Sequence, residues 1–386
     1  MDFTLSEEQQ MLLETTRRFV TNDIGFNARR NKNSKDGHRT VSEPLATSLD
    51  RAAWQGFADL GLLALPVPEA DGGLGGSPQD IMLVLQALGE GLVLEPYLAS
   101  AVLASATIVA LGSAEQRTEL LPALVDGSHI VVLAHDEEGS RFDPLAITTS
   151  ATLSADGYLL NGHKSVIAQA PYADILLVSA RLTDSGKCAV FLLPAGTAGV
   201  SLSAYRTVDD MVAADVHLSH VALPATARLG GASDADDGAT VLQVLDLGLA
   251  AVCAEAVGAL DRVLAATVEY TRTRHQFGVA IASFQALQHR MADMVLHIEQ
   301  ARSMSYLAAM HCTDADPDSR AAALSAAKVI VGQACRFVGQ NAVQLHGGMG
   351  VTDELELSHY FKRLMAIELQ FGSTDWHLER YAGQLH

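Results

Sequence analysis

Three observations predict an α+β chain in which helical domains flank a β domain. Apolar residues recur at helical spacing through the first third. Beyond Asp126-Gly127 the pattern shortens to β-prone runs broken by turn residues. Long helical patterns return after the Gly-, Ser- and Asp-rich stretch Gly230 to Gly238. The expected division is an N-terminal helical domain over 1–125, a middle antiparallel β domain over 126–235 and a C-terminal helix bundle over 236–386. A length of 386 residues calls for two or three cores, and an apolar content of 49% can fill them.

The first helix opens at Ser6, whose hydroxyl and the Gln9 amide can cap it reciprocally; Met11, Leu12, Phe19 and Val20 then fall at spacings that suit one face. Asn31 to Thr40 interrupts the pattern with turn formers, which predicts an exposed loop. Helical patterning resumes around Ala53 and from Ser77 to Gly91. The most apolar stretch, Leu98 to Gly112, carries Ser100, Ser105 and Thr107 and falls short of the roughly 20 residues a membrane span needs, so it reads as a buried helix. Ile130 to Ala134, Ala151 to Leu153, Tyr158 to Leu160, Ile175 to Val178 and Ala189 to Leu193 read as strands. Asp156-Gly157, Asn161-Gly162 and Ser185-Gly186 read as tight turns between them. Phe284, Leu287, Met291, Met294, Val295, Ile298 and Ala301 mark one late helix, and Leu324, Ala327, Val331, Ala334, Val338, Ala342 and Leu345 another.

With 26 basic and 45 acidic residues the formal charge is −19, which disfavours nucleic acid and anionic membrane surfaces as partners. Four cysteines, at 188, 253, 312 and 335, have neither zinc-site spacing nor disulfide density and are expected to be reduced and structural. Met1 to Gln10 is acidic and polar where a secretory signal would be basic and then apolar, so a cytoplasmic location is expected.

Against this acidic background, Tyr270-Thr271-Arg272-Thr273-Arg274-His275-Gln276-Phe277-Gly278 reads as a site for the phosphates of a dinucleotide. A planar guanidinium grips a pyrophosphate through paired charge-assisted bonds, a Gln amide satisfies neighbouring oxygens, and glycines admit close backbone approach. Tyr270 and Arg274 are one turn apart, Gly278 supplies a stop for their helix, and Gln285 follows in the first turn of the next. Gln344, Gly347 and Gly348 form a second candidate group, although Gly347 and Gly348 would also serve simply as a helix C-cap. His346 has no carboxylate or cysteine at ligand spacing, so no metal is expected there.

The combination of Arg274-x-x-Phe277-Gly278 with Gln344-x-x-Gly347-Gly348 resembles the acyl-CoA dehydrogenase superfamily, and the resemblance covers essentially the whole chain. Leu5-Ser6-Glu7-Glu8-Gln9 is similar to the opening helix of that family, and Gly61 to Glu69 followed by Gly72-Gly73-Leu74-Gly75 to its glycine-rich turn. Ala254 to Ala259, Phe284 to Arg290 and His359 to Leu364 are most similar to the small subunit of pimeloyl-CoA dehydrogenase-type enzymes. The resemblance implies FAD as cofactor, held by Arg274, Phe277, Gln285, Gln344, Gly347 and Gly348, with Phe277 either packing on the nucleotide or anchoring its loop. It further implies an acyl-CoA substrate, α,β-desaturation of the thioester, electron-transferring flavoprotein as acceptor and a homo- or hetero-oligomer, dimer or tetramer.

Against the family pattern, the base that should remove the α proton is missing. Phe371 stands at the usual Glu position in Gln370-Phe371-Gly372-Ser373-Thr374, and Gly248 at the alternative one after Leu245-Asp246-Leu247. Asp246 and Glu368 are nearby carboxylates, candidates for a displaced base but expected to be solvated as acids on helices; Asp246 should face elsewhere on its helix, and Glu368 would need a backbone shift. On the flavin-ring side, Val166 and Ala168 stand where the family has Trp and Thr. His135-Asp136-Glu137-Glu138-Gly139-Ser140-Arg141 replaces its Thr-Glu-x-x-x-Gly-Ser-Asp segment. Family members build each FAD site from two subunits, so this half-complement implies a paralogous acyl-CoA dehydrogenase partner that supplies the ring pocket and the base. A self-sufficient enzyme with a displaced base and a flavin-free structural subunit are the alternatives.

Overall fold

A computed structural model describes residues 4–30, 45, 48–231 and 235–384. The expected loop at Asn31 to Thr40 and residues 232–234 of the linker lie outside them. In chain order the helices are α1 Glu7–Phe19, α2 Arg51–Asp59, α3 Pro78–Glu90, α4 Ser105–Leu111 and α5 Ala114–Val125. After the strands come α6 Gly238–Thr273, α7 Gln285–His311, α8 Pro317–His346, α9 Glu356–Leu369 and α10 Thr374–Ala382. The strands are β1 Val131–Ala134, β2 Ser150–Ser154, β3 Gly157–Ala168, β4 Ile175–Leu182, β5 Cys188–Pro194, β6 Val200–Arg206, β7 Val212–Pro224 and the short pair β8 His275–Gln276 and β9 Val279–Ala280. Helix, sheet, helix is the order the sequence predicts. In space the residues sort into two compact units, each discontinuous in sequence: Met1–His38, Pro78–Val93 and Leu249–His386 in one, Arg39–Ser77 and Leu94–Gly248 in the other.

The unit that holds the sheet orders its strands β1-β4-β2-β3-β7-β6, with β5 on β4. The sheet is mixed, a correction to the antiparallel domain expected: β4 runs parallel to both β1 and β2. The β2–β3 hairpin turns at Ala155-Asp156, one residue earlier than the expected Asp156-Gly157, with Gly157 already paired in β3. Asn161-Gly162 is not a turn but part of β3, where the register slips between Leu160 and Gly162. Gly162 lies so close to Thr149 that a Cβ would sit 2.5 Å from its hydroxyl oxygen, so glycine is required there for strand packing. Strands β6 and β7 lay outside the runs the sequence picked out. The apolar stretch at 98–112 is helical and largely buried, as the π-helical Tyr97–Ala104 followed by α4. Ala104 and Ile108 join Val131, Leu177, Val190, Val241 and Val244 in the core beneath the sheet.

In the other unit the Ser6–Gln9 capping box forms at the start of α1 as predicted, although Met11 is exposed. Helices α3 and α6 meet backbone to backbone: a Cβ on Gly258 would come within 1.9 Å of the Gln86 carbonyl, and one on Gly89 within 2.0 Å of the Glu255 carbonyl. Arg363 of α9 donates from Nε and Nη2 to both carboxylate oxygens of buried Glu255 at 2.6 and 2.8 Å, locking α9 onto α6. Helices α7 and α8 form a long antiparallel pair, with Ile298, Ala301, Val331 and Val338 buried. Gly238–Thr273 and Pro317–Val351 are apolar and long enough to cross a membrane. However, 78% and 61% of their most apolar windows are buried inside the protein, which accounts for that composition. All four cysteines are buried and none forms a disulfide.

Candidate functional site

Helix α6 stops at Thr273, five residues before the glycine expected to end it. The chain turns instead into a hairpin in which His275 pairs with Ala280 and Gln276 with Val279. Its two-residue turn is Phe277 (φ +57°) and Gly278 (φ +81°), the left-handed pair that matches the twist of tight hairpins. Phenylalanine rarely takes positive φ, and here it carries a ring that is 91% exposed, edge-on to Phe284 at 6.1 Å. An unpacked aromatic ring on a strained tip is poorly explained by folding alone.

The arm is cationic and unpaired. Arg272, Arg274 and Arg290 are exposed, and none has a carboxylate or other side-chain partner among the described residues. No Asp or Glu occurs from Tyr270 to Ala292, nor from Ser319 to Thr352, in a chain with 45 of them. Gln285 opens α7 with its side chain exposed, beneath an N-cap residue, Phe284, that makes no side-chain cap bond. Gln344 is exposed on the last turn of α8, and Gly347 (φ +61°) caps that helix with its N–H on the Gln344 and Val343 carbonyls. A Cβ on Gly347 or Gly348 would meet nothing within 4 Å, so an open shelf faces outward there. The residues present therefore fit a phosphate-bearing ligand: unpaired guanidiniums, free amides and bare backbone.

The base positions look different. Phe371, half-buried at φ +59°, and Gly372 (φ +110°) form a loop whose carbonyls are engaged from within the chain. Buried Lys328 donates to the carbonyls of Glu368 at 2.9 Å and Gly372 at 2.7 Å. His377 Nε2 donates to the Phe371 carbonyl at 2.9 Å, and burial pushes that imidazole down to about 3, so it stays neutral. Both carboxylates expected to be solvated are in fact buried: Glu368 is 7% exposed and Asp246 is 5% exposed. Glu368 Oε1 accepts from Arg336 at 2.7 Å and from the Thr374 N–H at 3.1 Å. Burial alone would raise its pKa, but those bonds outweigh it and hold the carboxyl below its ordinary value, the wrong direction for a general base. Gly248 offers no side chain at all.

On the sheet, a bulge between Lys164 and Ile167 turns Val166 outward at φ +56°, 57% exposed, with its N–H on Asp215 Oδ1 at 2.9 Å. Ala168 is exposed beside it. The polar residues beneath are committed to one another. Fully buried Lys164 donates to the His135 carbonyl, Glu137 Oε1 and Ser179 Oγ at 3.1, 2.7 and 3.0 Å. Burial raises the Glu137 pKa, but Lys164 and the Thr148 and Thr149 donors bring it down to about 2; burial pushes His135 down to about 4. These side chains were not legible as a network, because their spacing in sequence matches no local motif.

A cavity of about 400 Å³ lies elsewhere, lined by residues including Arg17, Phe26, Glu90, Arg262, Glu356 and Tyr360. Arg17 pairs with Glu90 and Arg262 with Glu356, and none of the predicted site residues lines it. No group of three His, Cys, Asp or Glu side chains among the described residues is placed to hold a metal ion.

Three family models match: acyl-CoA dehydrogenase N-terminal domain over residues 6–128, middle domain over 133–221 and C-terminal domain over 236–386. The chain belongs to the acyl-CoA dehydrogenase family. It is 32% identical to acyl-CoA dehydrogenase FadE27 of Mycobacterium tuberculosis, over 90% of this chain and 91% of that one. Among solved structures it is similar to the ChsE4-ChsE5 complex from Mycobacterium tuberculosis (TM-score 0.86, 29% identity, covering 100% of this chain and 99% of that one). It is also similar to the FAD complex of PigA (TM-score 0.87, 26% identity, covering 100% and 99%). Membership makes the chain an oxidoreductase of the CH–CH-acting, FAD-dependent type and accounts for the helix, sheet, helix order.

Proposed function

We propose that this protein is the nucleotide-gripping subunit of a hetero-oligomeric acyl-CoA dehydrogenase, completing FAD sites whose ring pocket and proton acceptor belong to a paralogous chain. The observation that carries the proposal is the state of Glu368. Glu368, the carboxylate that precedes the usual base position, is buried under Arg336 and the Thr374 N–H, with Phe371 where a base would stand. The similarity to the ChsE4-ChsE5 complex supports a pairing of two different chains.

In this reading Arg274 and the Gln285 amide bind the pyrophosphate, Gln344 with the Gly347-Gly348 backbone takes further oxygens, and Phe277 covers the nucleotide from water. Held by these residues, FAD would supply a hydride acceptor for the β carbon of an acyl-CoA thioester. Holding the cofactor in one place is this chain's contribution, and positioning of that kind lowers the barrier without any proton transfer of its own. A dicarboxylic or otherwise bulky acyl-CoA is the substrate class, with electron-transferring flavoprotein as acceptor. The three-part division at 125/126 and 235/236 belongs to the same reading.

The test is co-expression with a paralogous neighbour, followed by flavin stoichiometry and acyl-CoA oxidation. The complex should hold flavin and turn over, and the chain alone should do neither. Full activity of a pure homo-oligomer would overturn the proposal.

A further inference from the structure

The two candidate phosphate-binding segments lie far apart in sequence, and one contact joins their roots. The Tyr270 ring stacks on His346 with centroids 4.3 Å apart and planes at 25°, and the Tyr270 hydroxyl donates to the His346 carbonyl at 3.3 Å. On one side, the Arg274 N–H donates to the Tyr270 carbonyl at 2.8 Å, so Tyr270 sits directly beneath the guanidinium arm. On the other, His346 immediately precedes Gly347 and Gly348. The imidazole is itself fixed. Its Nδ1 lies 2.8 Å from the Ala342 carbonyl, and a carbonyl only accepts, so Nδ1 carries the proton and Nε2 is left as an acceptor. Burial lowers the His346 pKa and keeps the ring neutral, so no charge disturbs the stack near pH 7.

We infer that Tyr270 and His346 are positioning residues: their stack holds the Arg274 arm and the Gly347-Gly348 shelf at one separation, so that a single dinucleotide meets both. The inference rests on the proposed function. Neither residue need touch the ligand, and the stack acts on the two segments that do. An unstacked root would leave each segment to pay for its ordering when ligand binds, and the loss falls on affinity.

Two measurements test this. In the chain alone, amide hydrogen exchange is followed at Ile281, whose N–H bonds to the Arg274 carbonyl, and at Gly347, whose N–H bonds to the Gln344 carbonyl. Tyr270→Leu should speed exchange at both sites together, and Tyr270→Phe, which keeps the ring, should leave both close to the parent. Exchange that rises at Ile281 alone overturns the inference. In the complex with its paralogous partner, FAD titration should weaken roughly tenfold for Tyr270→Leu and return to the parent value for Tyr270→Phe. Arg274→Gln is the control. If it weakens FAD and Tyr270→Leu does not, the coupling is wrong and the proposed function stands; if Arg274→Gln has no effect, the proposed function itself fails. His346→Ala removes the stack from the opposite side and decides the same comparison should Tyr270→Leu not assemble.

Discussion

The arm from Arg274 to Gln285 and the network around Lys164 handle polar groups in opposite ways. On the arm and at its two flanks, the guanidiniums of Arg274, Arg272 and Arg290 project into solvent without side-chain partners among the described residues, and the Phe277 ring stands almost fully exposed. Around Lys164, an ammonium, a carboxylate, an imidazole and a hydroxyl are closed on one another within 2.7 to 3.1 Å. Water satisfies the first set at no cost to the fold, and a ligand can replace that water. The second set is bonded internally and offers a ligand little. The same contrast separates Arg274, exposed and unpaired, from Glu368, buried and bonded to Arg336 and the Thr374 N–H.

The strongest way to break that contrast is to cut the closed network. Lys164→Met leaves Glu137 buried without its cation, which should cost about 3–5 kcal/mol in denaturant unfolding of the isolated chain. A loss below about 1 kcal/mol would mean the network is not closed as described. Acid should attack the same place. Glu137 titrates at about 2 in the fold against an ordinary 4.5. Its stabilisation is therefore complete above pH 4.5 and disappears as pH falls through 2, a change on the order of 3 kcal/mol. His135 at about 4 and His377 at about 3 resist protonation in the fold, against an ordinary 6.5. Their contribution is present above pH 6.5 and is lost on descending through those values, so stability should already decline between pH 6.5 and 4.5. Glu137→Gln should remove the Glu137 share of the decline below pH 4.5 and leave the His377 share, which runs down to about 3.

The open region predicts the reverse pattern. Arg274→Gln removes no contact within the chain, so unfolding should shift by less than about 0.5 kcal/mol. FAD affinity of the hetero-complex should fall on the order of 10- to 100-fold, the worth of charge-assisted bonds to a phosphate. Equal losses in stability and affinity would erase the distinction between the two regions.

Much of this contrast was readable before any coordinates. The capping box at Ser6 and Gln9, the long apolar periods of α7 and α8 and the Arg274–Gln285 candidates follow from local chemistry, whereas the Gln344, Gly347 and Gly348 group and the reading of Phe371 and Gly248 as base positions came from the family resemblance. What could not be read was contact across distance. Glu368 and Asp246 look like ordinary helix-surface acids, and only the approach of Arg336 and Thr374 explains why Glu368 is buried. Lys164 and Glu137 are 27 residues apart, and Arg363 and Glu255 are 108 apart. The end of α6 was misplaced because positive φ at Phe277 runs against the propensity of phenylalanine, and Asn161-Gly162 mimics a turn although its glycine answers to Thr149 in a bulged strand.

The smallest expected effect sharpens the comparison most, because it separates a buried carboxylate from a working one. Glu368→Gln keeps the side-chain shape and an acceptor oxygen for the Thr374 N–H, and surrenders only the charge facing Arg336, which is itself about half exposed. Solvent screening at that guanidinium limits the loss to about 1 kcal/mol of stability. If Glu368 removed the α proton, the amide would abolish turnover, since it cannot accept one. If the partner supplies the base, acyl-CoA oxidation by the complex should stay within about twofold of the parent, since no transition-state contact has been touched. A drop of several orders of magnitude with flavin content unchanged would return the chemistry to this chain, and Arg336 would then be read as the group that tunes its base.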